Sequence, residues 1–417
     1  MTKFRIIFSA LFLFFNICWS QSLSELYETS KKAYESKDYK LYLKYAITLD
    51  SLRPFHPTFS YNLASAHALN SNWEEAQVAL RRLVLMDNTI DFESSSDFNA
   101  LQEDEGYRML LALKKAQSKP IETSKSVVAL LEKELHPEGV LFLPKSKLWL
   151  ASSVRKRKIV SFDLKTGICN DWLKDKSMLS VLAIKADAKE QYLWVTTVAF
   201  PEMEGYSINQ KGHAVVLKID IKSKKILSRF TLEGNHVFGD LVVSNDGIVY
   251  VSDSQNAILY KIENDTMSVF LSLKEQAFNL QGLTFNKDQS KLYTADYLKG
   301  ICMIDVPSKS TKWLSFPDMA TPKGIDGLVF YHNSLLAIQN GVKPIRITQF
   351  LLNEWQNEIE SFKVLDNNRP EFNEPTLATL VGEKLYFFAN SPWNAYNENG
   401  VLDDTKVKNP TLYSLKL

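Results

Sequence analysis

Oxygen-bearing residues stand at the head of successive apolar runs in the second half of this chain: Glu138, Ser180, Asp240 behind Gly239, Gln281, Asp326 and Glu374. They recur roughly 40 to 60 residues apart. If the runs they precede are gathered around one axis, their side chains converge on a small volume. Carboxylates and amide oxygens in one place are the donor set of a hard divalent cation, calcium above all. Like charges that close repel unless a cation or protons intervene. The chain has no GxSxG elbow, phosphate loop or HExxH motif, so a serine nucleophile and zinc hydrolysis have no local support.

Further candidates lie between the runs. The segment Phe200–Gly212 reads as a lid, and it ends at His213. His213 is either a general base acting on a bound water or a structural histidine before a strand. In the long polar insertion Asn390–Asn409, Trp393 and Tyr396 either stack on a flat ligand or pack within a surface loop. Glu374 precedes Pro375 and either faces a channel or begins a strand. Asp253 and Asp296, in SD and AD pairs, read as hydrogen-bonding residues of the scaffold.

The elements that must position these residues are strands. From about 127 to 417 six blocks share one order, seen most cleanly in Gln281–Asp305: an apolar strand, a turn, a second strand ending in small and acidic residues, then a third. The stretch before each following block supplies a fourth strand. Four-stranded repeats of this length predict propeller blades, and six blocks predict a six-bladed β-propeller. The last strand, Leu412–Leu417, ends the chain, so Ser126–Leu131 is expected to complete the final blade.

With these motifs in view, residues 127–417 resemble the senescence-marker-protein/gluconolactonase family, which includes regucalcin. The resemblance rests on Pro137-Glu138-Gly139-Val140, Gln281-Gly282-Leu283 where an Asn-Gly-Leu is usual, and Asp326-Gly327-Leu328. It implies one divalent cation in the channel, held by Glu138, Asp240, Gln281 and Asp326, with Asp326 also a catalytic base. Asp240 follows Gly239 where the family carries Asn. The implied activity is cation-dependent hydrolysis of lactones or esters. The alternative is a non-catalytic propeller binding a ligand or protein at the cell envelope.

Before the propeller the apolar period becomes helical, over 22–118. Ser24–Pro57 aligns without a gap on Thr58–Asp91, a repeat of 34 residues that resembles the tetratricopeptide repeat. The fold class is therefore mainly β with a short α-helical solenoid ahead of it. The helices form either a partner-binding groove or a structural cap, and 119–126 reads as a linker. Residues 1–20 read as a signal peptide: Lys3 and Arg5, an apolar run to Cys18, then a small-residue cleavage site. That places the protein outside the cytoplasm, periplasmic or secreted, with no membrane span after processing. Cys169 and Cys302 occupy non-matching positions, so they are either two buried thiols, the reading expected here, or a disulfide. A net charge of +1 gives no reason to expect nucleic acid as a partner.

Overall fold

A computed structural model describes residues 22–417. The segment read as a signal peptide lies outside them. Among the described residues, no helix is long and apolar enough to cross a membrane.

The chain opens with two helical hairpins and a closing helix: α1 (Leu23–Glu35), α2 (Tyr39–Leu52), α3 (Pro57–Leu69), α4 (Trp73–Met86) and α5 (Glu105–Gln117). The starts are written in the sequence. Ser22 and Glu25 make a reciprocal capping box on α1, Asp38 caps α2, Pro57 opens α3 and Asp104 caps α5. On α4 the buried residues Ala76, Ala79, Leu80 and Leu83 form one helical stripe. They pack with Phe92, Phe98 and Tyr107 into the helical core. Both α3 and α4 begin 34 residues after α1 and α2.

The rest is six antiparallel sheets. Blades 1 to 5 begin with the innermost strands Val140–Leu143, Ser180–Ala186, Phe238–Val243, Leu280–Phe285 and Ile325–Tyr331. Blade 6 begins with Ala378–Val381. Innermost strands of neighbouring blades touch all round. Second strands are buried almost throughout, as in Val249–Asp253 and Ser334–Gln339. Each is covered on both faces by the adjoining blades, which is why these runs are continuously apolar instead of alternating. Outermost strands such as Lys225–Phe230 alternate, because one face meets water.

The ring closes as the sequence suggests. Lys125–Ala129 pairs with Thr411–Lys416 as the outer strand of blade 6. Val128 and Leu130 then join Trp149 and Phe162 of blade 1 in the seam between the last and first blades. The stretch 119–126, expected to be a linker, is laced onto the propeller. Ile121–Glu122 adds a fifth strand to blade 5. The amides of Thr123 and Ser124 both donate to the buried Asp366 carboxylate, at 2.7 and 3.1 Å.

The helices lean on blades 4 and 5. Lys343 donates its amide to the Met86 carbonyl and accepts the Asn88 amide. Lys323 reaches the Phe55 carbonyl at 2.9 Å, and Arg53 lies over the Phe278 ring. Phe278 and Lys323 sit just ahead of two innermost strands, so the helical part borders the rim where those strands begin. Cys302 is buried in blade 4 and Cys169 half-buried in blade 1, both as free thiols.

Candidate functional site

The heads of the innermost strands are irregular. The pairing register slips between Val181 and Ile184, Phe238 and Leu241, Leu280 and Leu283, and Ile325 and Gly327. Such bulges re-aim side chains. Here they turn one residue per blade toward the channel. The glycine that follows has a separate task. A Cβ on Gly139 would meet the Leu182 carbonyl at 2.7 Å. On Gly282 it would meet the Asp326 carbonyl at 2.6 Å, and on Gly327 the Thr376 carbonyl at 2.4 Å. Glycine lets the next blade's backbone come close. The Glu-Gly, Gln-Gly and Asp-Gly pairs are thus one channel-facing side chain plus one seam residue.

These positions meet in a cavity of about 340 Å³ at the channel mouth. Glu138, Gln281, Asp326 and Glu374 line it, with Asn279 and Asn340 among them. Phe200, Leu182, Leu377 and Trp393 supply apolar wall. Among the described residues, no lysine, arginine or histidine lines it.

Two of the three carboxylates are held. The Trp393 indole N–H donates to Glu138 Oε1, and Trp393 is wedged between His136 and Phe200 by edge-to-face contacts. Asn340 Nδ2 donates to Asp326 Oδ2 at 2.6 Å. Tyr297 O–H in turn donates to Asn340 Oδ1 at 2.9 Å, which fixes the direction of the amide. The acids are correspondingly reluctant to ionise. Burial pushes Glu138 well above the ordinary carboxylate range, and the Asp326 charge adds to it. Burial lifts Asp326 to about 6 against the opposing Asn340 hydrogen bond. Burial and then the Asp326 charge lift Glu374 to about 7.

Other residues singled out in the sequence lie elsewhere. Asp240 is not on the cavity wall. Its Oδ1 accepts the Leu241 amide at 2.8 Å, and its Oδ2 accepts the Leu283 amide at 2.9 Å. In blade 3 the order of the pair is reversed. Gly239 faces the channel and Asp240 takes the seam position that glycine fills in blades 1, 4 and 5. Blade 2 contributes Leu182 to the wall, and Ser180 stays buried behind it. His213 is exposed on the far side of its loop and does not line the cavity. The loop itself is pinned by buried Met203 and by Arg157, which donates to the Glu204 carbonyl. Tyr396 does not reach the cavity: its hydroxyl bonds with His136 Nδ1 at 3.0 Å. Asp253 and Asp296 do act as scaffold. Asp296 accepts four amides, those of Phe278, Asn279, Leu298 and Lys299.

Asn340, Tyr297 and Ser254 are among the wall residues that sequence reasoning left out. Each follows the last residue of a second strand. In an antiparallel pair that end lies beside the start of the first strand, so the same rim collects both sets.

No protein-family model matches this sequence, and no curated protein sequence gives a significant match. Solved structures do align with it. A virginiamycin B lyase from Staphylococcus aureus is 14% identical over 70% of this chain and 99% of its own, with a TM-score of 0.48. An aldose sugar dehydrogenase from Streptomyces coelicolor is 14% identical over 72% and 98%, with a TM-score of 0.47. A luciferin-regenerating enzyme is 14% identical over 72% and 96%, with a TM-score of 0.49. The six-bladed assignment rests on the six sheets themselves.

Proposed function

We propose that this cavity binds a divalent cation, calcium above all, together with a small oxygen-rich ligand, and that the propeller hydrolyses a lactone or ester there. One observation carries the reading: Glu138, Asp326 and Glu374 share a cavity wall that holds no cationic side chain. Such a trio must take up protons or a cation. The donor chemistry fits a hard ion. Glu138 and Asp326 each have one oxygen engaged by an N–H donor, leaving the other free. Gln281 donates its amide N–H to Asn279 and keeps its own oxygen free. Among the described residues no three His, Cys, Asp or Glu side chains form a ready-made cage, so the Gln281 amide oxygen completes the set. Glu138, Gln281 and Asp326 are the ligands. Asp240 drops out, because main-chain amides engage both of its oxygens.

A bound cation supplies polarisation of a carbonyl and stabilisation of the oxyanion. The chain's own residues do the rest. Glu374, titrating near neutrality, and Asp326 exchange the proton with an attacking water. That role passes to them from His213, which lies outside the cavity. Phe200 and Trp393 close the apolar side against bulk water. The helical repeats serve as a cap or partner surface beside the mouth, and the protein works outside the cytoplasm.

Calorimetric titration of calcium into the chain tests the site, with Glu138→Gln as the paired variant. Saturable binding that is lost in the variant is expected, followed by turnover on a lactone panel that Asp326→Asn abolishes without unfolding. A chain that binds no calcium would sink the hydrolase reading. One observation favours the second reading, a non-catalytic ligand-binding propeller: blade 3 presents Gly239 where a fourth ligand would stand. Calcium binding with no turnover on any lactone or ester would select it.

A further inference from the structure

A second cavity, of about 260 Å³, lies between α5 and blade 5. Its wall is apolar for the most part: Leu113, Ile121, Met319, Phe350, Phe362 and Val364. Two polar side chains in that wall keep hydrogen-bonding capacity that the chain does not use. Arg346 is 6% exposed. Its Nε donates to the Pro344 carbonyl and its Nη2 to the Leu85 carbonyl, at 3.3 and 3.0 Å. Its Nη1 has no partner, and among the described residues no Asp or Glu pairs with it. The Gln117 side chain also lines the cavity, and its Oε1 is buried without a donor. The remaining polar side chains are satisfied. Gln339 donates to the Thr321 and Lys323 carbonyls, and Thr348 donates to Gln339.

A buried guanidinium without a counter-ion is costly. Burial pulls its pKa down to about 10, with no acid nearby to hold it up. An anion in the cavity removes the mismatch. We propose that this cavity is a binding site for a small apolar carboxylate, with its acid group on Arg346 Nη1 and its tail among the side chains of α5 and blade 5. A single charge and a single free N–H face match a monoanion better than a phosphate, whose second charge would stay uncompensated. The volume sets the size, with room for roughly nine groups the size of water at about 30 Å³ each. Two carboxylate oxygens and a chain of about eight carbons fill it. Both walls come from different parts of the chain, so an occupant also ties α5 to the propeller.

The test is calorimetry on the full chain with octanoate and, as the neutral counterpart, octanol. Octanoate is expected to bind saturably and about tenfold or more tighter than octanol, the factor of one charge-assisted hydrogen bond. Arg346→Met removes the charge and should erase that preference. Because Arg346 also holds Leu85, a second variant guards against misfolding. Ala116 is an exposed α5 position on the cavity wall, and Ala116→Phe should block octanoate while the helix stays intact. Octanoate that fails to bind, binds no better than octanol, or binds Ala116→Phe undiminished overturns the proposal.

Discussion

The carboxylate of Asp240 accepts the main-chain amide of Leu283 at 2.9 Å across the seam between blades 3 and 4. It is a strap between two blades. Asp240→Ala leaves that amide and the Leu241 amide without acceptors in a buried seam. A loss of about 1–3 kcal/mol is expected, read as a lower urea midpoint at unchanged slope. Calcium affinity should not move. A variant of wild-type stability that has lost calcium would return Asp240 to the ligand set.

Trp393 sets the position of Glu138. Trp393→Phe keeps the ring between His136 and Phe200 but removes the N–H on Glu138 Oε1. A hydrogen bond to a charged group contributes about 1.5–3 kcal/mol. Calcium binding should therefore weaken by about tenfold or more, with melting temperature nearly unchanged. Equal calcium affinity in variant and wild type would show that the indole only packs.

The acids should leave a mark on stability against pH. Asp326 and Glu374 are raised in the folded chain, from 3.8 to about 6 and from 4.5 to about 7. Over that interval the folded state binds more protons than the unfolded state. Their share of stability without divalent cations therefore falls as pH rises from about 4 to 7, against that of buried His136, which is held down to about 3 and whose share rises over the same window. Glu374→Gln should remove its share of the slope, and calcium should flatten what is left. Scanning calorimetry of wild type and Glu374→Gln in a chelator is the check, and a difference between their melting temperatures that stays constant across the window would contradict it.

Asp366 is the latch of the incoming strand. It takes the Thr123 and Ser124 amides and faces Arg369, whose side chain is also buried. Asp366→Ala strands both amides, while Arg369 keeps Glu371 at 3.2 Å and the Ser124 carbonyl at 3.0 Å. A cost of about 1–3 kcal/mol follows from leaving buried amides without their acceptor. Faster proteolysis near residues 119–129 should accompany it. Cleavage elsewhere in the chain first would place the weak point outside the latch.

Much of the architecture was legible, because burial on both faces makes second strands continuously apolar and so easy to find. The channel-facing residues of blades 1, 4 and 5 were legible for a related reason: each precedes a glycine that the seam requires. Blade 3 misled because Gly239-Asp240 looks like the same pair and is its reverse. A bulge shifts facing by one residue, and composition does not record that. Ser180 was read for Leu182 by the same slip. Asn340 and Tyr297 stayed hidden because they come from the far ends of second strands, joined to the site only by the hairpin. His213 was suggestive by type, yet its loop is held so that the ring faces water.

The pairing of Val128 with Leu412 has a consequence for synthesis. At typical rates of synthesis, the roughly 280 residues between them take on the order of a quarter-minute to a minute to appear. The helices, built from local contacts, have ample time to form first. Meanwhile Lys125–Ala129 waits as a lone strand with its hydrogen-bonding edge open. Until Thr411–Lys416 has been made, that edge is free to find another partner.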